Sequence, residues 1–472
     1  MTRWLLLAVF ALTGCDGAPT YSPGVVAGLN LGAALPRGFL FGTATAAHQI
    51  EGGESNDWTD WEAGAFPDGR PHIRNQDTSQ IADGSWTRWP DDLTAMRHLG
   101  ANAYRFSVEW SRLEPVEGQW DAQAEANYRA QLEALRAAGI TPVVTIHHYT
   151  FPKWVAAKGG WEWSDPDHGI SDAMGELAAH LGERFGDLVD LWCTINEPNV
   201  AVYEAYLWGE YPPGVQDIGR MAHAYVETMK AHAKMAAALR AHDLVDADGD
   251  GRATSIGLAL HVAIFEPASA SPLDVTVAGL TDDVTNELVP RAASTGRVRL
   301  EVPGTISIDE EVPGLKGSFD YLGVNYYTRY YVRFDLSDPA LSKQYFAPGR
   351  LTSDLGYETY PEGMYRALVR MGRWGWPIYI LENGVADATG ASRPEYLRAH
   401  LWELERAQAA GVDVRGYFHW SLVDNFEWAL GSFGRLGLYR VDTTDPNLVR
   451  QPTQAVDTFR QIAIEMGLTP TP

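Results

Sequence analysis

Glu197 and Glu382 are the residues best placed to do chemistry. Glu197 stands in Thr194-Ile195-Asn196-Glu197-Pro198 and Glu382 in Tyr379-Ile380-Leu381-Glu382-Asn383-Gly384, each at the end of a short apolar, β-branched run. A carboxyl at the point where a strand stops is poorly placed for core packing and well placed to meet a ligand. In a barrel of parallel strands both would project into the mouth at the C-terminal ends. There they could flank a sugar–sugar bond, one as acid and one as nucleophile. Taken alone, a glutamate before Asn-Gly is most often a turn residue, so the elements that position the pair decide its meaning.

Apolar runs alternate with helical patterns along the chain. Strands are expected at 39–43, 103–108, 141–147, 188–195, 255–261, 321–326, 377–381 and 415–420, and helical stretches include 121–138, 171–185, 221–242 and 361–374. Strand–helix units in this order predict an α/β fold, a single (β/α)8 barrel with its active site at the C-terminal ends of the strands. Val143-Val144-Thr145-Ile146 has the near-continuous apolar character of a strand buried on both faces. The alternative is an open doubly wound sheet. It would usually carry a Gly-rich phosphate turn after an early strand, and the sequence has no GxGxxG or P-loop.

Polar and aromatic residues gather where these strands end. Gln49 and Glu51 follow the first, Arg105 ends the second, and His147-His148 end the third. Asn196-Glu197 end the fourth, Asn325 and Tyr327 the sixth, Glu382 the seventh and Trp420 the eighth. A lone histidine is more often a satisfied core group than a ligand, but one end of one barrel would collect the whole set. Successive strand residues face opposite ways, so only His148 of the histidine pair is expected in the site.

The whole chain bounds these expectations. Its 472 residues are 45% hydrophobic, enough for a large core in one domain. A formal net charge of −24 argues against nucleic acid as a partner. The 17 Trp and 21 Tyr offer flat faces for sugars, although most rings are expected in core or rim packing. Arg3, the apolar run 4–12 and Thr13-Gly14-Cys15 make a short basic head and an h-region too short to span a bilayer. Leu12-Thr13-Gly14-Cys15 resembles the cleavage box of bacterial lipoproteins. That resemblance implies a signal peptide over 1–14, a lipidated Cys15 with a tether over 15–35, and export to the bacterial cell envelope (periplasm or surface) on a lipid anchor. The alternative is a plain secretory signal with a chance cysteine. The catalytic domain is expected over 36–466, with a frayed tail at 467–472. Cys193, the other cysteine, reads as an inert buried thiol.

Six motifs recur in order and carry a wider resemblance. They are Phe41-Gly42-Thr43-Ala44-Thr45-Ala46-Ala47-His48-Gln49-Ile50-Glu51-Gly52, Tyr104-Arg105-Phe106-Ser107, Asn196-Glu197-Pro198, Asn325-Tyr326-Tyr327, Glu382-Asn383-Gly384, and Trp420-Ser421-Leu422-Val423-Asp424-Asn425-Phe426-Glu427-Trp428. On these residues the chain resembles glycoside hydrolase family 1, the β-glucosidase family. The resemblance implies a retaining β-glycosidase without a cofactor, acting on terminal β-D-glucosyl residues of small β-glucosides or cello-oligosaccharides through a covalent glycosyl-enzyme.

Carried over position by position, Glu197 resembles the acid/base and Glu382 the nucleophile, which requires carboxyls about 5–5.5 Å apart. Arg105 and Tyr327 resemble the groups that hold the nucleophile, and Asn325 the amide that positions the acid. Asn196 resembles the partner of the sugar 2-hydroxyl. Gln49, His148, Trp420, Glu427 and Trp428 resemble the glycone pocket. A carboxylate at Glu427 would repel a 6-phosphosugar, and the presence of Glu197 favours O-glycosides over thioglycosides.

The chain departs from the family in three places. Asn199 follows NEP where the family often has Trp, and Tyr357 replaces an aglycone-stacking Trp. Leu436 replaces an aromatic near the sugar C6. The same site leaves β-fucosidase, β-galactosidase and transglycosylase open as alternatives, and a non-catalytic sugar binder as a more distant one. Finally, Asp246, Asp248, Asp250 and Gly251 make a D-x-D-x-D-G run that resembles a calcium loop. Its twelfth position is Gly257 rather than a bidentate glutamate, so a solvated acidic turn is preferred and no metal is expected.

Overall fold

Strand-forming runs with apolar residues on both faces can be covered only if helices pack outside them and side chains fill the space between them. The computed structural model, which describes residues 31–302 and 306–471, has that arrangement. The strands are β1 (Leu40–Ala44), β2 (Ala103–Ser107), β3 (Thr141–His147), β4 (Leu191–Asn196), β5 (Ser255–Pro267), β6 (Leu322–Phe334), β7 (Ile378–Asn383) and β8 (Val414–Trp420). Each pairs in parallel with the next, β8 pairs with β1, and the ring has no free edge. This is the expected (β/α)8 barrel. A principal helix follows each strand: α1 (Ser85–Leu99), α2 (Ala122–Ala137), α3 (Ile170–Phe185), α4 (Ile218–His242), α5 (Leu288–Thr295), α6 (Glu362–Gly372), α7 (Arg393–Ala409) and α8 (Gln454–Glu465).

Helix α2 shows how local sequence sets an element. The Asp121 side chain caps it, accepting from the amides of Gln123 at 2.8 Å and Ala124 at 3.0 Å. Ala124, Tyr128, Leu132 and Leu135 recur at helical spacing and are buried. Gly139, at φ +72°, takes the chain out of the helix. Leu132 is wholly buried, and its truncation to alanine should cost about 2–5 kcal/mol.

Inside the ring the side chains are mostly small: Ala44, Ala103, Val143, Cys193, Ala259, Leu381 and Phe418 fill it. Cys193 is a buried free thiol. The lumen is therefore a packed floor, and ligands can enter only from its ends.

Several boundaries differ from expectation. Strands β5 and β6 run beyond 261 and 326 because their Tyr- and Phe-rich continuations pair with each other, Phe265 opposite Tyr330 and Pro267 opposite Val332. The short strand Ser342–Tyr345 adds to β6 antiparallel. At the start, Leu31–Ala34, expected in the tether, forms a helical turn; Leu31 is buried and the Gly32 amide donates to Glu465 at 3.2 Å. At the end, the Thr471 amide donates to the Arg97 carbonyl at 2.9 Å, so the tail is docked. The expected leader 1–14 and Cys15 lie outside the described residues.

Candidate active site

The C-terminal ends of the strands open into a cavity of about 680 Å³. Glu197 and Glu382 both line it, one following β4 and one within β7.

Glu382 is held on both oxygens. Oε1 accepts from Arg105 Nη1 at 2.5 Å and Oε2 from the Tyr327 hydroxyl at 2.8 Å. Arg105 is fully buried. It also donates to Thr145 Oγ1 at 3.0 Å and to Asn196 Oδ1 at 2.7 Å, so its charge is fixed in place. The chain after Glu382 passes under Trp420. A Cβ at Gly384 would come within 1.7 Å of the Trp420 carbonyl oxygen, which explains the glycine after Asn383.

Glu197 sits at φ +42°, a left-handed conformation rare for a residue with a side chain and costing about 1–3 kcal/mol. Its amide donates to the Ala259 carbonyl at 2.7 Å, and Pro198 opens the helical turn behind it. Oε1 accepts from Asn325 Nδ2 at 3.0 Å and lies 3.5 Å from His261 Nδ1, while Oε2 accepts from the Tyr149 hydroxyl. Asn325 also donates to Asn196 Oδ1 at 3.1 Å. One hydrogen-bonded chain thus runs from Glu382 through Arg105, Asn196 and Asn325 to Glu197.

The two carboxyls titrate as a pair. Burial pushes Glu382 up, to about 8; the charge of Glu197 adds to the push, and Arg105 and Tyr327 pull against it. Burial acts on Glu197 in the same direction. There the contacts with His261, Tyr149 and Asn325 outweigh it and leave the carboxyl below its ordinary value.

Beside the pair lie the residues expected to hold a sugar. Gln49 Nε2 donates to the Phe426 carbonyl at 2.9 Å and to Glu427 Oε2 at 3.2 Å. Asn425 donates to the same Glu427 oxygen at 2.6 Å. Burial pushes Glu427 up to about 7 against these two donors. His148 Nε2 lies 3.1 Å from Asn196 Nδ2, and its ring stacks near Trp420 and Trp428 with centroids 5.9 and 5.8 Å away. Burial, then the Arg105 charge, keeps that imidazole well below its ordinary value and therefore neutral. Gln49 Oε1 and His148 Nδ1 are buried without a protein partner among the described residues. Such atoms are costly unless a ligand completes them.

Most expected residues converge here; Glu51 does not. It bonds Arg112 at 2.7 Å and Tyr128 at 2.8 Å in a buried cluster away from the cavity. His147 faces Phe151 and Trp161, as alternation requires. Tyr357 and Leu436 line the cavity. Asn199 lines it too, but its amide is tied to the His261 carbonyl at 2.9 Å and the Thr285 carbonyl at 3.2 Å. Asp246, Asp248 and Asp250 precede β5, at the opposite end of the barrel, and take no part. Tyr149 and His261, both against Glu197, were not expected. His261 stands where the fifth expected strand ends, which was the available signal; Tyr149 gets there through an unusual φ of +73° that sequence does not display.

Comparison with known proteins agrees with this geometry. The profile described as "Glycosyl hydrolase family 1" matches residues 32–467. The chain belongs to glycosyl hydrolase family 1. It is 33% identical over 435 residues to a 1,4-beta-D-glucan glucohydrolase of Thermotoga neapolitana, covering 86% of this chain and 98% of that one. The solved beta-glycosidase from Pyrococcus horikoshii superposes with a TM-score of 0.81 at 32% identity, covering 92% of this chain and 95% of that one. This family member is accordingly an enzyme, a glycoside hydrolase.

The same comparison corrects the expected location. A family relative 29% identical over 485 residues, covering 92% of this chain and 99% of its own length, is the cytosolic beta-glucosidase of Homo sapiens. That finding overturns export to the envelope on a lipid anchor. The expectation rested on a short apolar leader pattern alone, and a barrel of this kind carries no address in its fold. No helix among the described residues is long and apolar enough to cross a membrane.

Proposed function

We propose that this chain is a retaining β-glucosidase that releases terminal β-D-glucosyl residues from small β-glucosides and cello-oligosaccharides. The observation that carries it is Glu382, bonded by Arg105 and Tyr327, lining the same cavity as Glu197. The glucan glucohydrolase among the relatives supports glucose as the sugar.

Glu382 attacks the anomeric carbon, and the bond to the departing oxygen breaks as Glu197 gives that oxygen its proton. A covalent glycosyl-enzyme results. Glu197, now a carboxylate, takes a proton from water, and the hydroxide equivalent displaces Glu382 to regenerate the starting site. Arg105 and Tyr327 hold Glu382 in line, and Asn325 orients Glu197. Asn196 donates to the sugar 2-hydroxyl, a contact that strengthens as positive charge grows on the ring. Gln49, His148 and Glu427 bind the other hydroxyls, and Trp420 and Trp428 face the sugar's C–H groups.

The reaction needs the proton of the pair on Glu197. The His261 contact is the strongest pull against that, and the Arg105 charge beside Glu382 works for it. Proton NMR of the first product from a nitrophenyl β-glucoside tests the scheme. The β-anomer is expected, and an α-anomer as the first product would reject it. In a panel of nitrophenyl glycosides, glucoside and fucoside should lead; a mannoside leading would reject the pocket assignment.

A further inference from the structure

The acidic run at Asp246–Gly251 cannot complete a calcium loop by itself, because its twelfth position is Gly257, inside β5. The fold brings a carboxylate from elsewhere. Asp190 immediately precedes β4, and its carbonyl accepts the Ser255 amide at 2.7 Å where β5 begins. Its Oδ1 accepts the Ala247 amide at 2.8 Å, which fixes the side chain against the acidic run. One carboxylate oxygen from each of Asp190, Asp246 and Asp248 lies within 4.8 Å of the other two. Oxygens about 2.3–2.6 Å from one ion can be at most about 5 Å apart, so the spread suits a shared calcium. Asp250 is outside this group and accepts the Arg252 amide instead.

Acidic clusters are common on surfaces, but Asp190 is not a surface residue. It is 6% exposed, and its Oδ2 has no hydrogen-bond partner among the described residues. A buried carboxylate oxygen without a donor is costly, and two more carboxylates beside it raise the cost. Arg136 is the nearby cation. Its guanidinium donates to the Ala247 carbonyl, and its charge acts on Asp190 and Asp248 without an ion pair to either among the described residues. The donors are all oxygen, with no histidine or cysteine, which selects a hard ion. Two carboxylates on an exposed loop with glycines at φ +79° and +93° suit the irregular shell of calcium better than the strict octahedron of magnesium.

We propose that Asp190, Asp246 and Asp248 bind a calcium ion at the N-terminal end of the barrel, clamping the loop between α4 and β5 to the start of β4. The ion has a structural role, remote from the sugar cavity.

Full-length protein treated with EGTA and exchanged into metal-free buffer provides the test, by thermal unfolding and calorimetric titration. Millimolar calcium should raise Tm by about 2 °C or more, with one ion bound at a Kd on the order of 10⁻⁴ M or tighter. Magnesium should raise it less. Asp190→Asn should weaken calcium binding at least tenfold, yet raise Tm in EGTA because a buried charge is gone. Turnover of a nitrophenyl glucoside well below Tm should stay within about twofold. Asp248→Asn, at an exposed position, should also lose the calcium response and serves if Asp190→Asn does not fold. Absence of a calcium-dependent shift and heat in the unmodified protein would overturn the site. So would a response that survives both substitutions, and an equal response to magnesium would overturn the preference for calcium.

Discussion

The deep and outer ends of the cavity are built on different principles. At the deep end, Arg105, Asn196, Asn325 and Glu382 are all strand-borne, nearly or wholly buried, and bonded to one another. At the outer end, Glu204, Gln344 and Tyr357 are only partly buried and Lys343 is exposed. All four lie outside the eight barrel strands. Strands of a closed ring cannot move singly, so a side chain on one is aimed by its neighbours. Side chains outside the ring have more freedom and fewer partners. The proposed function puts chemistry at the first end and choice of leaving group at the second.

That contrast can be broken by substitution. The largest effect is expected from Glu382→Gln, which keeps the shape and removes the proposed nucleophile; kcat on a nitrophenyl glucoside should fall by at least about 10⁴-fold. An unchanged rate would put the chemistry elsewhere. Glu427→Ala, beside the strand-borne set, should lower kcat/KM for the glucoside by about 10²-fold, because Gln49 and Asn425 lose their shared acceptor along with the sugar.

His261→Asn sharpens the comparison through pH. In the proposed mechanism Glu197 must be protonated to act, so activity should fall as pH rises through the titration of that carboxyl. His261 pulls that titration down. Its removal should therefore move the alkaline limb of kcat/KM to higher pH, with kcat at the optimum changed less than about tenfold. A limb that stays put would show that His261 does not act on Glu197. The smallest effect is expected at the outer end. Tyr357→Ala should raise KM for cellobiose about threefold, with hydrolysis of the preformed glycosyl-enzyme, measured after a fluoroglucoside burst, unchanged. A slower second step would mean that this ring also touches the sugar that remains.

The same divide governs what the sequence revealed. Glu197 and Glu382 were legible because each ends an apolar run, and the strand period assigned His148 inward and His147 outward. Glu51 was misplaced since it lies two residues beyond Gln49 in a helical turn and its neighbour across space, Arg112, is invisible in one dimension. Tyr149 depended on a backbone angle, and Asp190 on the register of β4 against β5. Side-chain periodicity reports faces of elements; it does not report which distant segment meets them.

The unequal height of the ring has one more outcome. β5 and β6 continue past the rim, and Phe265 and Tyr330 from that extension, with Gln344 from the short strand added to β6, line the cavity. With a packed floor beneath and that back-rest behind, the cavity leaves a bound sugar fewer directions of approach than an open trough would.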